Sequence, residues 1–108
     1  MTKYTVEFYV SGQKKIVSEF IFSLPKPTIA KSFRLFDMLE NYGLIVGMPF
    51  VKKITPDLWE LRIRGQVEIR YLFTVCQTTI FILHGFKKKQ NKIPAKELQT
   101  AKKRLQSL

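Results

Sequence analysis

From Trp59 to Phe73 the side chains alternate in polarity on both sides of Gly65-Gln66, and no other feature limits the fold as strongly. Trp59, Leu61 and Ile63 alternate with Glu60, Arg62 and Arg64; Val67, Ile69, Tyr71 and Phe73 alternate with Glu68, Arg70 and Leu72. A period of two belongs to strands with one buried face, and a glycine-containing break between two such runs marks a hairpin. A two-residue loop at Gly65-Gln66 would set Arg62 opposite Ile69 and mix charge with the core. A three-residue loop, Arg64 to Gln66, pairs Leu61 with Ile69 and Ile63 with Val67 and keeps one face apolar. It also opposes Glu60 to Arg70 and Arg62 to Glu68 as cross-strand ion pairs, so this register is the expected one. A third strand, about Thr79 to Leu83, follows a turn near Gln77-Thr78, and its unbroken Ile80-Phe81-Ile82-Leu83 run predicts cover on both faces.

Upstream, Tyr4 to Val10 is rich in β-branched and aromatic residues and reads as a strand, with Ser11 placed to cap a following helix. Ile16, Val17, Phe20, Ile21 and Leu24 recur at helical spacing, which predicts a helix over about Gln13 to Ser23. Pro25 and Pro27 end it. A second helix opens at Pro27 or Thr28, carries Ile29, Phe33, Phe36 and Leu39 on one stripe, and stops at Gly43. The segment from Gly47 to Asp57, with Lys52-Lys53, reads as loop or irregular extended chain. At the far end, Pro94 suits the first turn of a helix with Leu98, Ala101, Leu105 and Leu108 on one face and lysines around the rest. The expected class is α+β in the order β-α-α-β-β-β-α: a small, mostly antiparallel sheet, two N-terminal helices packed on it and a basic C-terminal helix. At 108 residues the chain reads as one domain, 1–108.

Charge narrows the partner. The net charge is +11, and it is uneven: residues 84–108 hold eight cations and one anion, Glu97, whereas residues 1–83 hold eleven cations and seven anions. So polarised a field fits a polyanion, RNA first among them. The single Cys76 excludes a disulfide framework, and with the single His84 it cannot supply a zinc site. No phosphate loop and no serine-type triad occurs. No cofactor is expected. Met1-Thr2-Lys3-Tyr4 leads straight into the first strand, and no apolar run reaches the roughly 18 residues of a membrane span, so a cytoplasmic protein with no membrane partner is the expectation.

The chemistry-bearing candidates are therefore cationic. Arg62 and Arg70 share the sheet face opposite the apolar one, with Glu60 and Glu68 beside them. They form either a solvated lattice of ion pairs or a phosphate site whose guanidinium forks stabilise charge on a phosphorane, with Glu60 as base. Lys87, Lys88, Lys89 and Lys92 next to an exposed Phe86 read as a backbone-and-stacking surface for single-stranded RNA, or as a solvated loop; Lys52 and Lys53 extend either one.

The runs Leu58-Trp59-Glu60-Leu61-Arg62, Val67-Glu68-Ile69-Arg70-Tyr71-Leu72 and Ile82-Leu83-His84-Gly85-Phe86-Lys87-Lys88-Lys89, then Lys92-Ile93-Pro94 with Glu97 and Ala101-Lys102-Lys103, resemble the phage-derived, HigB-like branch of the RelE/ParE toxin superfamily. The likeness is specific over roughly residues 50 to 105. It implies a RelE-like fold and a bacterial or phage-derived toxin of a type II toxin–antitoxin pair: a ribosome-dependent, metal-independent mRNA endoribonuclease that inhibits translation. It also implies an antitoxin partner, commonly a helix-turn-helix DNA-binding protein, besides the ribosome and mRNA. By position, Arg62 and Arg70 become the phosphate and transition-state residues, with Glu60 and Lys87 beside them, and Lys88, Lys89 and Lys92 hold backbone. Several relatives place a tyrosine or a histidine–tyrosine pair near the C-terminus. Here the end reads Arg104-Leu105-Gln106-Ser107-Leu108, which leaves Glu60, Tyr71 and His84 as acid–base candidates. Two alternatives stand beside the nuclease: a ParE-like inhibitor of DNA gyrase and a non-catalytic basic RNA-binding module.

Overall fold

The computed structural model describes residues 2–108. Strand β1 (Thr5–Phe8) is followed by α1 (Ile16–Phe22) and α2 (Lys26–Tyr42), then by β2 (Val51–Thr55), β3 (Leu58–Ile63), β4 (Ile69–Cys76), β5 (Thr79–Lys87) and α3 (Ala95–Gln106). The five strands form one sheet in the order β1-β5-β4-β3-β2, antiparallel except where β1 runs parallel to β5. This is the expected α+β class with one strand more. Strands β1 and β2 lie at opposite edges, so the two helices must carry the chain across the whole sheet. Four interstrand steps of about 4.8 Å make about 19 Å. The 17 residues of α2 span about 25 Å and suffice.

The helical spacing in the sequence is realised as packing. Val17, Ile21, Leu35, Phe36 and Leu39 press onto Leu61, Ile63, Ile69, Tyr71, Phe73, Ile80 and Ile82. Gly43 ends α2 at φ 62°, and a Cβ there would meet the Tyr4 ring at 2.5 Å, so both backbone and space require glycine. The opposite sheet face carries a second, smaller core of Leu58, Leu72, Leu83, Phe86 and Ala101 under α3. Helices therefore lie on both faces of β5, as its apolar run implied.

Three expectations change. Val51–Thr55, read as loop, is an edge strand: Val51 is buried while Lys52 and Lys53 are exposed, and a bulge between Lys53 and Thr55 breaks the alternation that would have revealed it. Edge lysines also discourage pairing with another chain. Helix α1 begins at Ile16, because residues 11–14 close a tight turn with a Ser11–Lys14 bridge and Gly12 at φ 61°; Ser11 does not cap it. The β3–β4 register differs by two residues. Arg62 lies opposite Arg70, Ile63 opposite Ile69 and Glu60 opposite Leu72, so the expected Glu60–Arg70 and Arg62–Glu68 cross-strand oppositions are absent. An even slip leaves every side chain on its own face, so the apolar pattern is satisfied by both registers.

Candidate nucleic-acid interface

The register lays charge across the α3 side of the sheet in rows. Lys52 stands opposite Glu60, and in the next row Arg62, Arg70 and Phe86 lie side by side on β3, β4 and β5. Two arginines facing each other would repel, and Glu60 resolves this from the neighbouring row. Arg62 Nε–H donates to Glu60 Oε1 at 2.8 Å, and Arg70 Nε lies 3.6 Å from Glu60 Oε2. Arg70 Nη2 donates to Glu68 Oε1 at 3.4 Å, and Lys88 Nζ is 3.7 Å from the same oxygen. The result is a continuous chain of alternating charge, Lys88–Glu68–Arg70–Glu60–Arg62.

Burial grades this chain. Glu60 and Arg70 are 3% and 4% exposed, so the expected solvated face is covered at its centre. Arg62 keeps 16% of its side chain exposed and opens onto a cleft of about 250 Å³. Glu60 itself, Lys52, Asn91 and Lys92 are its other polar lining residues, with Ile54, Ile93 and Leu98 apolar. With both carboxylate oxygens of Glu60 facing guanidiniums, the cations Lys52, Arg62 and Lys92 give the cleft a positive lining that suits an anion.

The other expected site residues divide. Lys53 sits 5.9 Å over the Trp59 ring, and Trp59 packs on the α1–α2 side, away from the cleft. Lys88 is tied to Glu68 by its side chain and by its backbone N–H. Lys87 is paired with Ile69, a core residue of the helical-hairpin face, so alternation turns it away from Arg70. Lys87 and Lys89 instead line a second concavity of about 440 Å³ along β5, with Phe20, His84, Phe86 and Glu97. Phe86, expected to be an exposed stacking platform, is 7% exposed and stacks on His84 at 5.8 Å.

The second concavity contains residues whose grouping the sequence hid. A bulge on β5, opposite the Leu72–Phe73 step of β4, pairs Leu72 with His84 and Phe73 with Ile82. Leu83 is thereby the extra residue: it enters the α3-side core while the next residue, His84, meets α3 as well. Strict period-two reading would have put these neighbours on opposite faces. Burial holds the His84 imidazole below its usual 6.5, partly offset by Glu97, so it is neutral at pH 7. Arg104 has no acceptor, so its Nη1–H donates to His84 Nδ1 at 3.3 Å, and the ring proton sits on Nε2 and donates to Glu97 Oε1 at 2.9 Å. Both ring nitrogens are occupied. His84 has no free lone pair with which to take a proton. Tyr71 is fully buried, its hydroxyl 3.0 Å from Ser32 Oγ and its pKa pushed up to about 12 by burial, so it cannot reach a substrate.

Residues 19–106 match the family described as phage-derived protein Gp49-like (DUF891). Among solved structures, the chain is similar to a chain in the crystal structure of the archaeal RelE–RelB complex from Pyrococcus horikoshii OT3. The two are 25% identical with a TM-score of 0.56, over 82% of this chain and 98% of that one. The fold is thus RelE-like. No curated protein matches the sequence.

Proposed function

Because the chain belongs to the phage-derived Gp49-like protein family, we propose that it is the toxin of a type II toxin–antitoxin pair and cuts mRNA on the ribosome. The observation that carries this reading is Arg62, fixed on a buried carboxylate with its guanidinium at the mouth of a cleft that also holds Lys52 and Lys92. The likeness to a chain of a RelE–RelB complex supports an antitoxin as the inhibiting partner.

In the reaction the ribose 2′-oxygen attacks the adjacent phosphorus, the 2′-O–P bond forms and the P–O5′ bond breaks. The 2′-hydroxyl gives its proton to solvent water, the departing 5′-oxygen takes one from solvent water, and the products are a 2′,3′-cyclic phosphate and a 5′-hydroxyl. Negative charge gathers on the non-bridging oxygens between those events. Arg62, Lys52 and Lys92 meet that charge with dipoles and cations already in place, which lowers the barrier without reorganisation. Arg70 acts one step back: it holds Glu60, and Glu60 holds Arg62. Glu60 positions a guanidinium here and is not the base.

Brief expression followed by mapping of mRNA 5′ ends tests the reading. Arg62→Ala removes one stabilising donor while Arg70 stays beside Glu60, and cutting falls by about 10²- to 10³-fold. Intact mRNA together with a supercoiling defect would overturn the nuclease in favour of the gyrase inhibitor.

A further inference from the structure

The concavity along β5 has the makings of a nucleotide subsite and takes no part in the cut described above. Its floor is aromatic: the half-buried Phe20 lies against Gly85, where a Cβ would come within 2.7 Å of the Phe20 ring, and the half-buried His84 is backed by the buried Phe86. Cations stand at Lys87, Lys89 and Lys96. One carboxylate, Glu97, lines the same space. Glu60 in the first cleft has both oxygens on guanidiniums, whereas Glu97 has a partner on Oε1 alone among the described residues, and its open oxygen would repel a phosphate by itself. A carboxylate, an aromatic surface and surrounding lysines together match a whole nucleotide: cations on the phosphates, rings on the base and an acceptor on its edge.

Glu97 is also held with more care than a helix start requires. It lies in the first turn of α3, where any carboxylate gains from the helix dipole in whatever rotamer it adopts. Here Oε1 is fixed by His84 Nε2–H, His84 is fixed by Arg104 through Nδ1, and Arg104 is anchored on the Leu83 carbonyl at 2.8 Å. Oε2 has no protein donor among the described residues. Guanine is the common base whose Watson–Crick edge offers two adjacent N–H donors, at N1 and N2, and a carboxylate accepts both.

Resting on the reading that the substrate is single-stranded RNA, we infer that Glu97, positioned by His84, recognises a guanine beside the cut in the β5 concavity. The volume of about 440 Å³ lies within the range of small-ligand pockets. The lysine loop borders both concavities, with Lys89 in one and Lys92 in the other. One strand crossing it therefore reaches both.

Fluorescence anisotropy with uridine hexamers carrying one guanosine, inosine, adenosine or no substitution tests the assignment. The guanosine oligomer binds at least about fivefold more tightly than the all-uridine one, and inosine, which lacks the N2 amino group, falls between. Glu97→Gln keeps an acceptor for His84 and the helix fold. It brings the guanosine-to-uridine ratio to near one while all-uridine binding persists. His84→Phe, which keeps the aromatic stack but loses the donor, lowers the ratio partway. If Glu97 serves only the helix start, Glu97→Gln lowers the melting temperature and leaves the ratio unchanged, and the assignment falls. Binding without base preference, or no binding at all, overturns the subsite as well. Neither result touches the nuclease, which 5′-end mapping reads independently.

Discussion

Glu60 and Leu61 are neighbours on β3 that face opposite sides of one sheet, and the two sides are held by different physics. Leu61 joins an apolar layer with Ile63, Ile69, Tyr71 and Phe73 beneath α1 and α2. Each such residue contributes roughly in proportion to the area it removes from water. Glu60 lies under α3 beside Leu58 and Leu72, and one carboxylate keeps two guanidiniums in place. The first side degrades by degrees when trimmed. The second depends on a single partner, because a buried charge without its counter-ion costs far more than the pair contributes.

The contrast is tested most severely at Glu60. Glu60→Ala leaves Arg62 opposite Arg70 with no carboxylate between them, and it lowers unfolding free energy by about 3–5 kcal/mol in denaturant titration. The double variant Glu60→Leu/Arg70→Met recovers most of that loss, because the uncompensated buried charge is gone. A loss below about 1 kcal/mol in Glu60→Ala would mean that this face is effectively solvated. Leu61→Ala costs about 2–5 kcal/mol by lost transfer energy and a cavity. No second polar-to-apolar change rescues it, which separates the two mechanisms even where their magnitudes overlap.

A smaller effect marks the rim of the charged side. Burial keeps the folded His84 pKa below the unfolded value of 6.5. Between those two values the unfolded chain binds more protons, so stability rises with pH through that window and levels off above about pH 6.5. The slope is at most about 1.4 kcal/mol per pH unit. Melting curves between pH 5 and 7.5 should show it, and His84→Phe should remove its histidine component, since the chain has no other histidine.

Much of this was legible in residue order. The alternation of Trp59 to Phe73 assigned the β3 and β4 side chains within that stretch to their faces, and the spacing of Val17, Ile21, Phe36 and Leu39 placed two helices on the apolar one. The functional cluster was legible only in part. Arg62, Arg70 and Glu60 do come together, but with Glu60 buried between the arginines and Arg70 out of reach of solvent. Lys87, expected beside them, is turned to the other face by its pairing with Ile69, and Phe86, expected as an exposed stacking platform, is buried next to Arg70.

Sequence by itself determined the faces, the helical hairpin, the basic last helix and the pool of cations, because periodicities of two and near four are properties of a local chain. Tertiary structure alone decided the rest. A slip of two residues preserves the pattern, so only the packed sheet chose which charges meet. A bulge at Leu83 turned His84 toward α3. The docking of α3 then converted a face that alternation marked as polar into one that buries an ion network. That docking also grouped Glu97, His84 and Arg104, which no spacing rule connects.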